Sequence, residues 1–254
     1  MLELRGVCRN FGGLAALGEV SFRAAAGEVT ALIGPNGAGK STLINCATGS
    51  DRPDAGKVLL GGRDITGLPA YRVAELGVVR TFQNLRLFPR LSVLDNVLCG
   101  LTVAAGRSLL GALLRPPSLR NRERRLRLQA LAALDRFGLT ELAEWPVGAL
   151  AYGDRKRVEL ARAVVSEPRL LLLDEPVAGL NATETGAVGN EIHRLRAQGY
   201  TMLLVEHDME LVMSIANRVV VLDGGRCIAQ GTPDEVRRNP LVLEAYLGKT
   251  SLVA

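Results

Sequence analysis

Gly34-Pro35-Asn36-Gly37-Ala38-Gly39-Lys40-Ser41 fits the pattern G-x-x-x-x-G-K-[ST], and its flanks decide how it folds. Glu28 to Ile33 is a short apolar run ending in a glycine, as buried strands do, and from Lys40 to Thr48 the pattern turns helical. A glycine-rich turn between strand and helix lets backbone amides curl around a phosphate, and the helix N-terminus adds its positive dipole. Lys40 supplies a mobile positive charge for β- and γ-phosphates, and Ser41 offers a hydroxyl to Mg2+. The expected nucleotide-binding residues are Gly34, Pro35, Asn36, Gly37, Ala38, Gly39, Lys40, Ser41 and Thr42.

Such a loop is shared by many nucleotide-binding proteins, so a second motif is needed. Leu170-Leu171-Leu172-Leu173-Asp174-Glu175 is a buried strand ending in two carboxylates, which point to opposite sides if the chain stays extended. Asp174 is expected to hold Mg2+, and Glu175 to polarise the attacking water as a general base. The other reading, an acidic strand end that caps the next helix, loses ground beside the phosphate loop.

The rest of the chain fits one α/β unit. Its 254 residues allow a large core, and no aliphatic run approaches the roughly 20 residues that span a bilayer. Met1 to Gly6 lacks the basic start and apolar stretch of a secretory signal, which predicts a cytoplasmic protein. Cys8, Cys46, Cys99 and Cys227 are scattered and form no C-x-x-C pair, as reduced, packed thiols do. The net charge of +5 is modest. The basic stretch from Arg120 to Arg127 has no interleaved aromatics for stacking bases, so it is read as a solvated helix face, with no nucleic-acid partner expected.

Leu2–Val7, Val20–Phe22 and Lys57–Leu60 read as strands, Ser92 to Gly138 as helices broken near Arg115-Pro116-Pro117-Ser118. Arg169–Asp174, Tyr200–Glu206 and Val219–Asp223 alternate with helical segments at 158–166 and 184–197, the rhythm of a parallel sheet. Gly224-Gly225 marks a hairpin, and Pro233 to Leu247 reads as short helices.

Leu150-Ala151-Tyr152-Gly153-Asp154, followed by Arg155-Lys156-Arg157-Val158-Glu159-Leu160-Ala161-Arg162-Ala163, resembles the signature segment of the ABC ATPase family. The usual form is L-S-G-G-Q, so Ala151, Tyr152 and Asp154 depart from it, and Ala151 lacks the serine hydroxyl. The resemblance implies that Ala151, Tyr152, Gly153 and Asp154 face the γ-phosphate of ATP held by an opposing subunit, chiefly through backbone amides. It also makes Gln83 in Arg80-Thr81-Phe82-Gln83-Asn84 a Q-loop glutamine, whose amide serves Mg2+ or the attacking water. His207 in Val205-Glu206-His207-Asp208-Met209 is similar to the switch histidine, and Ala178-Gly179-Leu180-Asn181 to the D-loop. Phe11 matches the aromatic that stacks on adenine, though it fits a core position equally well, and His193 reads as a surface residue.

The resemblance runs from Leu2 to Gly248 and implies a P-loop ABC-ATPase fold with an antiparallel β subdomain and an inserted helical subdomain. The single nucleotide-binding domain divides at approximately 1–83 and 168–254 for the catalytic core and 84–167 for the helices. One set of motifs implies a second ATPase subunit, either another copy or a paralogue, with ATP and Mg2+ as cofactors. Val79 to Phe88, the insert from Cys99 to Arg125, and Glu244-Ala245-Tyr246-Leu247-Gly248 are most similar to the LivG-type ATPases of branched-chain amino acid importers. Lipopolysaccharide-export and urea-import ATPases look alike, and a soluble ABC ATPase is the remaining alternative. Membrane-spanning permease subunits and an extracytoplasmic binding protein are then the expected partners, with the chain peripheral on the cytoplasmic face.

Overall fold

The computed structural model describes residues 1–101 and 117–247. Its first sheet is antiparallel. In it β1 (Leu2–Phe11) lies between β2 (Leu14–Ala24) and β4 (Ala55–Leu60), and β5 (Arg63–Asp64) forms the far edge. Leu2 opposes Ala24 and Leu4 opposes Phe22, alternate apolar residues on the buried face, and a register shift after Leu4 brings Val7 opposite Val20, both also buried.

The second sheet runs in the order β10 (Arg226–Gly231), β9 (Arg218–Asp223), β3 (Val29–Ile33), β8 (Met202–Val205), β7 (Leu170–Asp174), β6 (Val78–Arg80). Only β10 is antiparallel to its neighbour. Central strands of such a sheet are covered on both faces, which is why β3 and β7 are almost wholly apolar, the exceptions being the buried Thr30 and the strand-end Asp174. Leu32, Leu170 and Leu172 enter the core beneath α1 (Lys40–Thr48) and the antiparallel sheet, while Ala31, Ile33, Leu171 and Leu173 enter the core on the opposite face.

That opposite core is closed by α3 (Val93–Cys99), α4 (Pro117–Arg136), α5 (Tyr152–Val164), α6 (Ala182–Ala197) and α7 (Met209–Ile215). Helices α3, α4 and α5, which the chain inserts between the neighbouring strands β6 and β7, pack on one another, and short 3-10 turns at Thr140–Leu142 and Val147–Ala149 lead into α5. The remaining helices are α2 (Ala70–Glu75), α8 (Pro233–Arg237) and α9 (Pro240–Leu247). The expected break near Arg115-Pro116-Pro117-Ser118 falls partly outside the described residues, and from Pro117 the chain is helical as α4.

Two expectations are corrected. The helix expected at 158–166 begins at Tyr152 and ends at Val164, because the charged run from Asp154 to Arg157 masks its first turn although Lys156 in it is buried. β6 was not expected as a strand. Three residues are too few for a periodic signal, and pairing with Leu170, Leu171 and Leu172 of β7 holds them extended. All four cysteines are free, with Cys46 buried and the others half-buried. No helix among the described residues is long and apolar enough to cross a membrane.

Candidate nucleotide site

Strands β3, β7 and β8 run parallel, so the segments after them emerge along one edge of the sheet, where ligands of open α/β folds bind. The first is the loop from Gly34 to Gly39. Gly34 has φ +149°, and a Cβ there would lie 2.1 Å from the Leu222 carbonyl oxygen. Gly39 has φ +97°, and its Cβ would lie 2.7 Å from the Ala16 carbonyl oxygen. Neither position admits a side chain, which is the physical content of the two spaced glycines in the motif.

Gly39 caps α1 without a side-chain acceptor, so the first-turn amides of that helix remain available to an anion. Lys40 folds back over the loop, its Nζ donating to Gly34 O at 2.6 Å and Pro35 O at 3.0 Å. Burial holds its pKa below the ordinary lysine value, against the pull of Glu175 and Asp174. A cleft of about 500 Å³ opens over the loop, lined by Phe11, Ala16, Asn36 to Thr42, Glu175 and Gly225. Phe11 is 45% exposed at this cleft, with the Arg9 guanidinium 4.6 Å from its ring centroid, so its alternative reading as a core residue is set aside.

β7 delivers the carboxylates. Glu175 leaves the extended conformation with φ +48°, so the opposite-sides geometry of a continuous strand does not apply. Its N–H donates to Val205 O at 2.9 Å, and Gln83 Nε2 donates to its Oε2 at 2.7 Å, bringing three predicted elements together at one point. Asp174 is held by the Arg80 Nη2 at 2.7 Å, and its N–H donates to Thr81 Oγ1 at 3.2 Å. Arg80 was quoted in the Q-loop segment without a role, and nothing in its spacing marks it.

After β8, the Glu206 carboxylate is fully buried and accepts the N–H groups of Val177 at 3.2 Å, His207 at 3.0 Å and Asp208 at 3.5 Å. Burial pushes its pKa up, and these donors pull it back. Glu206 thereby ties the segment after β7 to the segment carrying His207, whose ring is exposed with Nδ1 3.6 Å from Glu206 Oε2. His193 is half-buried on α6.

Ala151 caps α5 with no side-chain hydrogen bond, as the missing hydroxyl requires. Asp154 pairs with Arg157 one turn on, Tyr152 Oη donates to Ala178 O at 3.3 Å, and Gly153 lies against Glu184, the N3 residue of the capping box begun by Asn181. Residues 151–154 do not line the cleft over Gly34–Thr42. Within one chain the two halves of the motif set stay apart.

Ser41 hydroxyl, Asp174 carboxylate and Gln83 amide are oxygen donors, the set a hard divalent ion takes when phosphates supply further ligands. Among the described residues, no cluster of three His, Cys, Asp or Glu side chains gathers to cage a softer metal. The residues present therefore fit Mg2+ carried with a nucleotide.

A glycine-cradled anion loop on a parallel sheet, with Lys40 and Glu175 lining one cleft, Gln83 bonded to Glu175 and Asp174 next to it in the chain, defines a P-loop nucleotide-hydrolysing site. The sequence matches the family described as ABC transporter over residues 17–178, and the branched-chain amino acid ATP-binding cassette transporter family over residues 226–250. It is 44% identical to the high-affinity branched-chain amino acid transport ATP-binding protein BraF of Pseudomonas aeruginosa, covering 98% of each chain. It is 43% identical to LivG of Escherichia coli, again covering 98% of both. A crystal structure of the ADP conformation of an ATP-binding cassette of an ABC transporter superposes with a TM-score of 0.85 at 33% identity, covering 98% of this chain and 99% of that one. The chain belongs to the ABC transporter family as an ATP-binding, ATP-hydrolysing subunit that works with Mg2+.

Proposed function

We propose that this chain powers a membrane importer of branched-chain amino acids by hydrolysing ATP in the cleft over Gly34–Thr42. The observation carrying the substrate assignment is the identity of 44% along 98% of the chain to a transport ATPase named for these amino acids. In this reading the amides of Gly37 to Ser41 and the Lys40 ammonium bind the phosphates, and Phe11 stacks on the base. Mg2+, when bound, neutralises phosphate charge. Ser41, Asp174 and Gln83 are the residues that would hold it.

Glu175 accepts a proton from water as the water oxygen bonds to the γ-phosphorus, and the bond to the ADP oxygen breaks. Gln83, bonded to Glu175, orients that carboxylate, and His207 donates to the γ-phosphate. Ala151 to Asp154 serve the cleft of a second ATPase subunit, a copy or a paralogue. Their absence from the lining of the cleft in their own chain supports this arrangement.

The division at approximately 1–83 and 168–254 against 84–167 places the Gln83 loop at the join. A second cleft, of about 450 Å³, lies there between Val79–Phe88 and α5 and includes the exposed Phe88. Coupling helices of permease subunits are proposed to dock around Gln83 to Leu94, with the chain peripheral on the cytoplasmic face and a binding protein delivering substrate from the other side. Tagged protein isolated from its own membranes in mild detergent is expected to carry two multi-span proteins and a second nucleotide-binding chain. Recovery only from the membrane-free extract, alone, would contradict the reading.

A further inference from the structure

Arg80 belongs to the site but has no part in the hydrolysis steps above. It is the last residue of β6, and its guanidinium bridges two elements that flank the proposed metal position. Nη2 donates to Asp174 Oδ2 at 2.7 Å and Nη1 to Asn45 Oδ1 on α1 at 2.8 Å. The two ion-paired side chains are only 14% and 13% exposed, and Nε has no acceptor. The guanidinium carbon also sits 5.1 Å from the Phe82 ring centroid, next to the Q-loop glutamine.

A charged group is seldom buried this far without an energetic reason. The reason here is the Asp174 carboxylate, which would otherwise sit largely desolvated and uncompensated at the end of β7. Lys40 does not replace Arg80 in that contact, because its Nζ is engaged by the carbonyls of Gly34 and Pro35. Any divalent ion that approaches Asp174 meets a carboxylate already engaged on one oxygen by a fixed cation, and it is repelled by that cation at close range.

We propose that Arg80 is a positioning residue that competes with the divalent ion for Asp174, keeping the carboxylate oriented while weakening the grip on the metal. The proposal rests on the reading of Asp174 as a metal-holding residue. Its consequence is a site from which metal and ADP leave readily after hydrolysis, because the protein supplies a replacement cation for the carboxylate that the metal vacates. The stack on Phe82 places the same guanidinium where a change in its pairing reaches the loop carrying Gln83.

The test is Mn2+ binding in the presence of ADP, followed by electron paramagnetic resonance of the free ion, with full-length wild type and four variants. Arg80→Met, which removes the charge but keeps much of the stem, is expected to bind Mn2+ about tenfold more tightly than wild type. Arg80→Gln, which retains a hydrogen-bond donor for Asp174, is expected to tighten binding similarly and carries the test if the methionine variant does not fold. Arg80→Lys keeps the charge and is expected to stay within about twofold of wild type. Asp174→Asn is expected to weaken Mn2+ binding and checks the premise.

Unchanged or weaker Mn2+ binding by both uncharged variants, with Asp174→Asn weakened, overturns the competition while the premise stands. Unchanged binding by Asp174→Asn removes the premise and the proposal together. A role confined to packing would not tighten metal binding in any variant.

Discussion

Glu175→Gln is expected to bind ATP with wild-type affinity and to hydrolyse it more slowly by a factor on the order of a thousand. The amide has the size and shape of the carboxylate and retains an oxygen for the 2.7 Å hydrogen bond from Gln83 Nε2. The left-handed backbone at φ +48° is held by the N–H of residue 175 on Val205 O at 2.9 Å, which the substitution leaves in place. What disappears is the ability to take a proton from the attacking water, and positioned general bases contribute roughly a hundredfold to ten-thousandfold. Fluorescent-nucleotide titration and phosphate release on the same sample separate binding from turnover. Turnover within a few-fold of wild type would remove Glu175 as the base.

Lys40→Met is expected to lower ATP affinity roughly a hundredfold, corresponding to about 3 kcal/mol of lost charge-assisted hydrogen bonding to phosphate. Methionine keeps the apolar stem, so the half-buried position stays filled. The buried Gly34 and half-buried Pro35 carbonyls lose the ammonium donor, a cost confined to one loop while both hydrophobic cores stay packed, and the fold should survive. The variant is therefore expected to melt within a few degrees of wild type while failing to bind nucleotide in the same titration. Retained affinity would mean that the loop amides alone hold the phosphates.

The contrast between these residues and Arg80 shows what the sequence made legible. Gly34, Gly39, Lys40, Asp174 and Glu175 announce themselves because a tight turn, a mobile cation and a strand-end carboxylate pair each demand particular residue types at fixed spacing. The strands on either side were readable for a related reason, since a strand covered on both faces reads as a near-continuous apolar run. Arg80 and Glu206 act through contacts spanning 94 and 29 residues of chain, so local pattern carries no trace of them.

The start of α5 was missed for a different reason. Gly153 and the charged run after it look like a loop, yet tertiary packing buries Lys156 and carries the helix back to Tyr152. Phe11 needed the structure as well. Hydrophobicity alone fits core and nucleotide stacking equally, and only its exposure at the cleft separates them. The short β6 is an extreme case, because three residues gain strand geometry solely from the neighbour they pair with.

The measurement closest to the central claim is uptake of labelled leucine, isoleucine and valine by cells lacking this gene and supplied with either the wild-type chain or Glu175→Gln. Uptake restored by wild type and left absent by Glu175→Gln is the expected result, joining the hydrolytic site to the transported substrate. Uptake that never depended on the gene, or that Glu175→Gln restored as well as wild type, would contradict it.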